Sequence, residues 1–274
     1  MNSKNLKENK IFIIGATAFL SGALTLSLDK LNNKNFFVII LIYLITIFIY
    51  IIATIRLSLT FSLIIALLTS IVLFNFSTEA AINLLEMAFL GSFTADFVKK
   101  DIHPKIGIPF ISLILTILAL VEIKFSADKT YTLLVKTFGW YLPGFLFLVS
   151  NLVTYIVYYL AWVYIKKDDS IFENFFYSRK LSLLTIVIFI LVYIFKFHKL
   201  IHAFITNIFL ICVSFLILEG INFSLIFVKK SKSFFLKIAF VLILAVFPYL
   251  FFFVGFFNNL FELHKKILRG GERK

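Results

Sequence analysis

Polar side chains recur on one face of the otherwise apolar segment between residues 75 and 98. Asn75, Glu79, Asn83 and Glu86 follow one another at i, i+4, i+8 and i+11. At 100° per residue they fall within about 80° of one helix face. Carboxylates inside a membrane usually face a bundle interior or a watery cavity and mark ion or substrate pathways. The spacing therefore predicts substrate-binding residues at Glu79, Asn83 and Glu86. In the alternative interpretation, Asn75 and Glu79 lie at the membrane interface and Glu86 is a single packed carboxylate.

A second polar pair lies in a later apolar run, residues 200–228. Glu219 and Asn222 are i, i+3 neighbours there. A carboxylate buried in such a run needs a proton or a hydrogen-bond donor on a facing helix. We therefore predict Glu219 as a facing member of the same substrate-binding set.

Motifs for catalysis and metal binding are missing from the sequence. It contains no Walker A loop, G-x-S-x-G turn, H-E-x-x-H helix or EF-hand loop. The single cysteine, Cys212, lies in an apolar run, so one chain can form neither a disulfide framework nor a cysteine metal site. We expect no catalytic residue, no metal site and no cofactor, and predict that the protein is not an enzyme.

The composition places these polar residues in a membrane protein. The chain has 274 residues, of which 61% are hydrophobic and only 15% charged. Soluble domains average about 45–50% apolar and about 25% charged residues. The net charge of +13 comes from basic residues spread over the loops rather than gathered on one element. This distribution is typical of span-flanking residues that attract anionic headgroups, and it argues against nucleic-acid binding.

The longest apolar stretch, residues 36–74, contains Arg56 as its only charged residue. As one helix it would reach ~58 Å, roughly twice a ~30 Å hydrocarbon core. It must therefore form two spans that turn near Arg56, because a guanidinium at the bilayer centre is costly.

The remaining apolar runs complete an all-α, polytopic transmembrane helical bundle of about nine hydrophobic helices. A loop is predicted at 99–109, and Pro248 is predicted to bend the last span. We treat residues 1–274 as a single membrane domain. The other runs are residues 11–28, 75–98, 110–123, 139–165, 181–195, 200–228 and 239–260.

The run at 181–195 decides between eight and nine crossings. As a helix it reaches only ~22 Å, which is short for a span. If it does not cross, more Lys and Arg residues lie on the inner side, in better agreement with the positive-inside rule. We favour eight crossings with both termini cytoplasmic; a tilted ninth crossing is the alternative. The Phe, Ile, Lys and Asn richness indicates a bacterial genome, so we expect a multi-pass protein of the bacterial inner (plasma) membrane.

Small residues line one face of the first span. Gly15, Ala18 and Gly22 lie at i, i+3 and i+7, and Ala18-x-x-x-Gly22 lets another helix approach closely. The face is predicted either to dock a partner subunit or to pack internally.

Several stretches together resemble the YybS-like family of bacterial multi-pass proteins. The hairpin YIIATIRLSLTFSLIIALLTS places Arg56 at the family's turn. WYLPGFLFLVSNLVTYIVYYLAWVYIKK matches its Pro-then-Ser span with Pro143 and Ser150. FLILEGINFSLIFVKK resembles a penultimate helix in which Gln usually precedes Gly, whereas Glu219 stands here.

The last helix, FPYLFFFVGFFNNLFELHKK, resembles a family helix that ends near Gly-x-x-Asp and an Arg. In this chain Asn258 and Asn259 occupy the Asp region, and His264 with Lys265 occupies the Arg region. The resemblance covers nearly the whole chain.

The resemblance implies a function. The family is similar in its first six spans to the substrate-binding S components of energy-coupling factor vitamin transporters. This similarity implies an S-component-like part at 1–165 and additional helices at 181–262. It also implies small-molecule binding and docking on an energy-coupling membrane subunit through Ala18 and Gly22.

We therefore predict a small-molecule-binding, transport-type subunit that lacks its own ATPase. The alternative is a non-transporting membrane scaffold or assembly partner of another membrane protein. A membrane enzyme acting on a lipid-linked substrate is the third possibility, but no nucleophile or metal set supports it.

Overall fold

The computed structural model describes residues 3–30, 36–125, 129–173, 175–231 and 233–265, and every regular element within these ranges is helical. The predicted all-α class is thus confirmed for the described residues. The helices are α1 (Ser3–Lys30), α2 (Phe36–Arg56), α3 (Leu59–Phe74), α4 (Thr78–Lys99), α5 (Pro104–Phe125), α6 (Lys129–Phe138), α7 (Leu142–Lys166), α8 (Ser170–Glu173), α9 (Lys180–Ile194), α10 (Lys199–Lys230), α11 (Phe234–Val246) and α12 (Leu250–Phe261), with a 3₁₀ turn at Gly139–Tyr141 between α6 and α7.

In the described residues, six helices are long and apolar enough to cross a membrane, as expected for a multi-pass membrane protein. Four more apolar helices are shorter: α3, α9, α12 and the first part of α11. The predicted total of eight or nine crossings, and the fate of residues 181–195, stay predictions. The long candidates are Asn9–Leu28, Val38–Arg56, Thr78–Lys99, Pro104–Lys124, Leu133–Lys166 and Lys199–Lys230.

The turn predicted near Arg56 is confirmed. Helix α2 ends at Arg56 and α3 begins at Leu59. The Ser58 hydroxyl caps α3 by accepting a hydrogen bond from the Phe61 N–H at 3.4 Å. A serine in this position satisfies one of the amides that the first helical turn leaves without an internal partner.

Two predicted boundaries are wrong, both at prolines. The predicted loop at 99–109 is shorter, since α5 already begins at Pro104. Proline suits the first helical position, where its missing N–H has no internal partner to lose. His103 caps this end, its Nδ1 accepting from the Lys105 N–H at 3.1 Å.

At Pro248 the last span is broken rather than bent. Helix α11 ends at Val246 and α12 begins at Leu250, because proline disfavours helical geometry in the residue before it.

The chain divides into two compact units. Unit 1 contains residues 1–126 and 156–168, and unit 2 contains residues 127–155 and 169–274. The prediction of a single membrane domain, with an S-component-like part at 1–165 and further helices at 181–262, stays a prediction.

In unit 1, helix α4 packs against α2 and α3. A small residue allows the closest approach, since a Cβ on Gly91 would lie 2.5 Å from the Ile47 carbonyl oxygen. The Ser62 and Ser92 hydroxyls join α3 to α4 at 2.7 Å. Buried apolar residues complete the core: Tyr50, Ala66, Leu73, Ala81, Leu84 and Ala88.

In unit 2, helix α10 packs against α9 and α12. The crossing with α12 depends on two facing glycines, Gly220 and Gly255. A Cβ on Gly220 would overlap the Phe251 carbonyl oxygen, and a Cβ on Gly255 would overlap that of Leu216. Without side chains at these two positions, the backbones can come into contact, as small residues permit in membrane helices.

This crossing gives a testable expectation. Gly220→Ala and Gly255→Ala should each destabilise the protein by about 1–3 kcal/mol or more, because the added methyl group forces two helix backbones apart. The measurement is the melting temperature of detergent-solubilised protein, followed by intrinsic fluorescence. Gly15→Ala is the control, since a Cβ there meets nothing within 4 Å. Equal melting temperatures for all three variants would contradict this account of the crossing.

Candidate functional site

Unit 1 brings two carboxyl groups together inside its helices. Glu86 comes from α4, and Glu122 comes from the last turn of α5, where its side chain is only 6% exposed. Tyr43 of α2 and Asn83 of α4 lie beside them. We refer to Tyr43, Asn83, Glu86 and Glu122 as the acidic site.

The geometry of the acidic site leaves part of it unsatisfied. The Tyr43 hydroxyl donates to the Asn83 side-chain oxygen at 2.8 Å, which orients both groups. Glu86 and Glu122 interact electrostatically with each other, and both interact with Tyr43, as the exposed Glu79 does more weakly. The Oε1 atom of Glu86 is buried and has no hydrogen-bond partner. A buried acceptor without a partner costs about 1–3 kcal/mol, so this oxygen is available to a donor or a cation.

The charge balance of the site indicates what it can bind. Two carboxylates in a low-dielectric interior repel each other unless a proton or a cation lies between them. Among the ion pairs of the described residues, none joins Glu86 to a lysine or arginine. Carboxylate, amide and phenol oxygens together can bind an amine or a metal ion, or can exchange a proton.

The structure places the predicted face of α4 in two environments. Asn83 and Glu86 turn toward the acidic site, whereas the side chains of Asn75 and Glu79 are exposed. Helix α4 begins only after Ser77, which caps it by accepting from the Ala80 N–H at 3.1 Å. Asn75 therefore lies before the helix, and Glu79 lies in its first turn.

Sequence reasoning missed Tyr43 and Glu122. Glu122 is the lone acidic residue in the apolar run at 110–123, and the same rule that drew attention to Glu86 could have found it. Tyr43 gave no usable signal, since tyrosines in apolar helices are common.

Glu219 has a different environment in unit 2, where it is fully buried in a hydrogen-bonded network. Its Oε1 atom accepts from the Asn258 Nδ2 at 2.8 Å. Its Oε2 atom accepts from the Asn259 Nδ2 at 2.9 Å and from the Tyr177 N–H at 3.2 Å. One carboxylate thus joins α10, α12 and the segment that precedes α9.

Further bonds fix the orientation of the two amides that bind Glu219. The Asn258 oxygen accepts from the His264 N–H at 2.9 Å, and the Asn259 oxygen accepts from the Ser182 N–H at 3.1 Å. Neither amide can turn over without losing such a bond. Both therefore present their N–H groups to Glu219, which suits a carboxylate acceptor and indicates a structural role.

Tyr177 lies outside the candidate membrane-spanning helices and next to this network. Burial, together with the nearby Glu219 carboxylate, raises the pKa of Tyr177 above its usual range. Its hydroxyl is buried without a hydrogen-bond partner and stays protonated at physiological pH.

The small residues of α1 also lie in unlike surroundings. Gly22 is buried, and a Cβ there would lie 3.3 Å from the Thr69 methyl group of α3. Ala18 is half-buried, and Gly15 is exposed with open space around it. Internal packing thus occupies the C-terminal end of the predicted docking face.

In the part of the chain that the structure describes, no three His, Cys, Asp or Glu side chains come together to form a cluster of metal ligands. Comparison with known proteins adds no assignment: the chain matches no protein-family model, no curated protein and no solved structure.

The hydrogen bonds of Glu219 predict that even an isosteric substitution at this position lowers the stability of the protein. Glu219→Gln should destabilise the protein by about 1–3 kcal/mol, because either position of the new NH₂ group faces an N–H donor. The melting temperature in detergent measures this. Glu262→Gln, an exposed carboxylate paired with Lys265 at 2.6 Å, is the control and should change little. A Glu219→Gln protein as stable as the control would exclude the structural role.

Proposed function

We propose that the protein is a small-molecule-binding, transport-type membrane subunit whose binding site is the acidic site of unit 1. The observation that carries the proposal is the buried Glu86 oxygen without a partner, next to a second buried carboxylate. Such an arrangement destabilises an apolar bundle unless a bound ligand supplies the missing donor or positive charge. The site fits a small cationic molecule or ion.

Polar side chains inside membrane-spanning helices are expensive and usually functional. Three helices contribute to the acidic site: Tyr43 from α2, Glu86 from α4 and Glu122 from α5. Each of these helices is long and apolar enough to span a bilayer. The site is therefore built on rigid elements, as a binding site requires.

The resemblance to the YybS-like family and to S components extends this proposal. Under it, the subunit lies in a bacterial inner membrane, performs no catalysis of its own and couples to an energy-supplying membrane partner. This part rests on the resemblance alone, which is a fold-level analogy.

The decisive experiment compares Glu86 and Glu122 of the acidic site with Glu79, an exposed carboxylate. Purified protein is tested by calorimetry against arginine, choline, spermidine and Mn²⁺. Glu86→Gln and Glu122→Gln should each weaken the binding of the active compound by about tenfold or more, which corresponds to ~1.4 kcal/mol. Each replaces one carboxyl group of the acidic site with an amide of nearly the same shape.

Glu79→Gln is the matched control, since Glu79 lies two turns from Glu86 on α4 but is exposed. The Glu79→Gln protein should bind the active compound nearly as tightly as the unaltered protein does. The proposal fails if none of the four compounds binds, or if Glu79→Gln and Glu86→Gln weaken binding equally.

One observation favours the alternative, a membrane scaffold. Phe12, Gly15 and Phe19 lie at i, i+3 and i+7 along α1, and all three are exposed. A glycine between two phenylalanines forms a notch that a partner helix can enter closely.

Gly15→Leu tests this alternative, because a Cβ at Gly15 meets nothing within 4 Å and internal packing is preserved. If a partner helix docks there, a co-purifying membrane protein should fall at least about fivefold in yield while the melting temperature stays unchanged. Leu133→Ala, which changes an exposed apolar side chain of α6, is the control. Full retention of the partner by Gly15→Leu would exclude docking at the notch.

A further inference from the structure

Unit 2 contains an apolar groove of about 500 Å³ that the acidic site does not use. This volume lies within the range of about 300–1,000 Å³ found for sites that bind small molecules. One wall comes from the 3₁₀ turn and the start of α7, and the other from the first turns of α10. The lining residues are Trp140, Pro143, Leu200, Ile201, Ala203, Phe204 and Asn207.

The groove lies at one end of two parallel helices. Asn207 of α10 bonds to the start of α7, its side-chain oxygen accepting from the Gly144 N–H at 2.8 Å. Two turns further along both helices, the Asn151 Nδ2 donates to the Ser214 hydroxyl at 3.0 Å. Since both pairs keep the same order along the chain, α7 and α10 run in the same direction. Their N-termini therefore lie side by side at the mouth of the groove.

Apolar side chains remain uncovered within unit 2 at this mouth. Trp140 is 70% exposed, Leu200 70% and Phe204 66%. Tryptophan at the end of a membrane helix commonly lies at the level of the lipid headgroups. The groove would therefore open where acyl chains meet headgroups.

The charged residues in the two segments that form the groove walls have one sign. Residues 133–167 and 179–218, which include both walls, contain no aspartate or glutamate. Lys196 and Lys199 precede the groove residues of α10, and both side chains are exposed. His198, the residue before α10, makes no capping hydrogen bond with its side chain. The positive N-terminal end of α10 and the two lysines therefore both favour the binding of an anion.

We propose that this groove binds one anionic phospholipid of the surrounding bilayer, with an acyl chain against Trp140 and Phe204 and its phosphate at Lys199 and the start of α10. The apolar lining accounts for the chain, and the lysines at the start of α10, with no acid in either wall segment, account for the preference for an anionic headgroup. A zwitterionic lipid offers the same chain but no net charge to the rim.

Tryptophan fluorescence tests the proposal directly, since the chain has two tryptophans. Trp162 is 5% exposed, and Trp162→Phe leaves Trp140 as the only tryptophan. This variant is placed in vesicles in which a rising fraction of the lipid is dibrominated phosphatidylglycerol or dibrominated phosphatidylcholine. Bromine quenches only a tryptophan that it touches, so Trp140 should be quenched at a lower fraction of the anionic lipid.

Lys199→Gln in the same background should reduce the preference for phosphatidylglycerol about fivefold, the effect expected for one lysine near a lipid surface. Lys237→Gln, which removes an exposed lysine from α11, should leave it unchanged. Equal quenching by the two lipids, equal effects of the two lysine changes, or no quenching at all would overturn the proposal. The last result would mean that Trp140 is covered by protein.

Added inorganic phosphate, at constant ionic strength, should not relieve the quenching. Relief would identify the ligand as a soluble anion and overturn the assignment to a lipid. If Trp162→Phe does not fold, native mass spectrometry of the otherwise unaltered protein replaces it. The amount of retained phosphatidylglycerol should then fall about fivefold in Lys199→Gln relative to Lys237→Gln, and equal retention would overturn the proposal.

Discussion

An apolar solvent offers no hydrogen bonds, so each polar group in a membrane-type bundle must find its partner within the protein. Within a helix the backbone N–H groups donate to backbone carbonyl oxygens. Many hydroxyl groups donate to the same kind of oxygen. Ser21 and Thr25 donate to carbonyl oxygens one turn earlier in α1, and Ser112 and Thr116 do so in α5. Of the polar side chains that remain, some bond to one another across helices, and others keep a buried atom without a partner, as Glu86 does.

Glu219 and Glu86 show both outcomes. Glu219 receives N–H donors on both oxygens, and the donors are held in place by further bonds. Glu86 has a buried oxygen without a partner and a second carboxylate nearby. The same chemical group is therefore structural in unit 2 and unsatisfied in unit 1. This contrast, more than the presence of acids in apolar helices, is the physical basis for the proposed binding site.

Small residues decide where helices can approach closely. At Gly220 and Gly255 two backbones touch, and at Gly91 a carbonyl group fills the space of the absent side chain. These contacts bring Asn258 and Asn259 within reach of Glu219, and bring Tyr43 next to Asn83. Close packing and polar pairing thus depend on each other, since a short amide can bond across a crossing only if the backbones are near.

The sequence by itself determined the helical, membrane-type class, the turn at Arg56 and the inward carboxyl group of Glu86. These follow from local properties, namely hydropathy, helix length and the cost of burying charge. It could not determine that Glu79 is exposed, that Glu122 and Tyr43 join Glu86, or that Glu219 bonds to Asn258 and Asn259. Only tertiary structure decided these points, because residues far apart in the chain meet through helix crossings that periodicity within one helix does not specify.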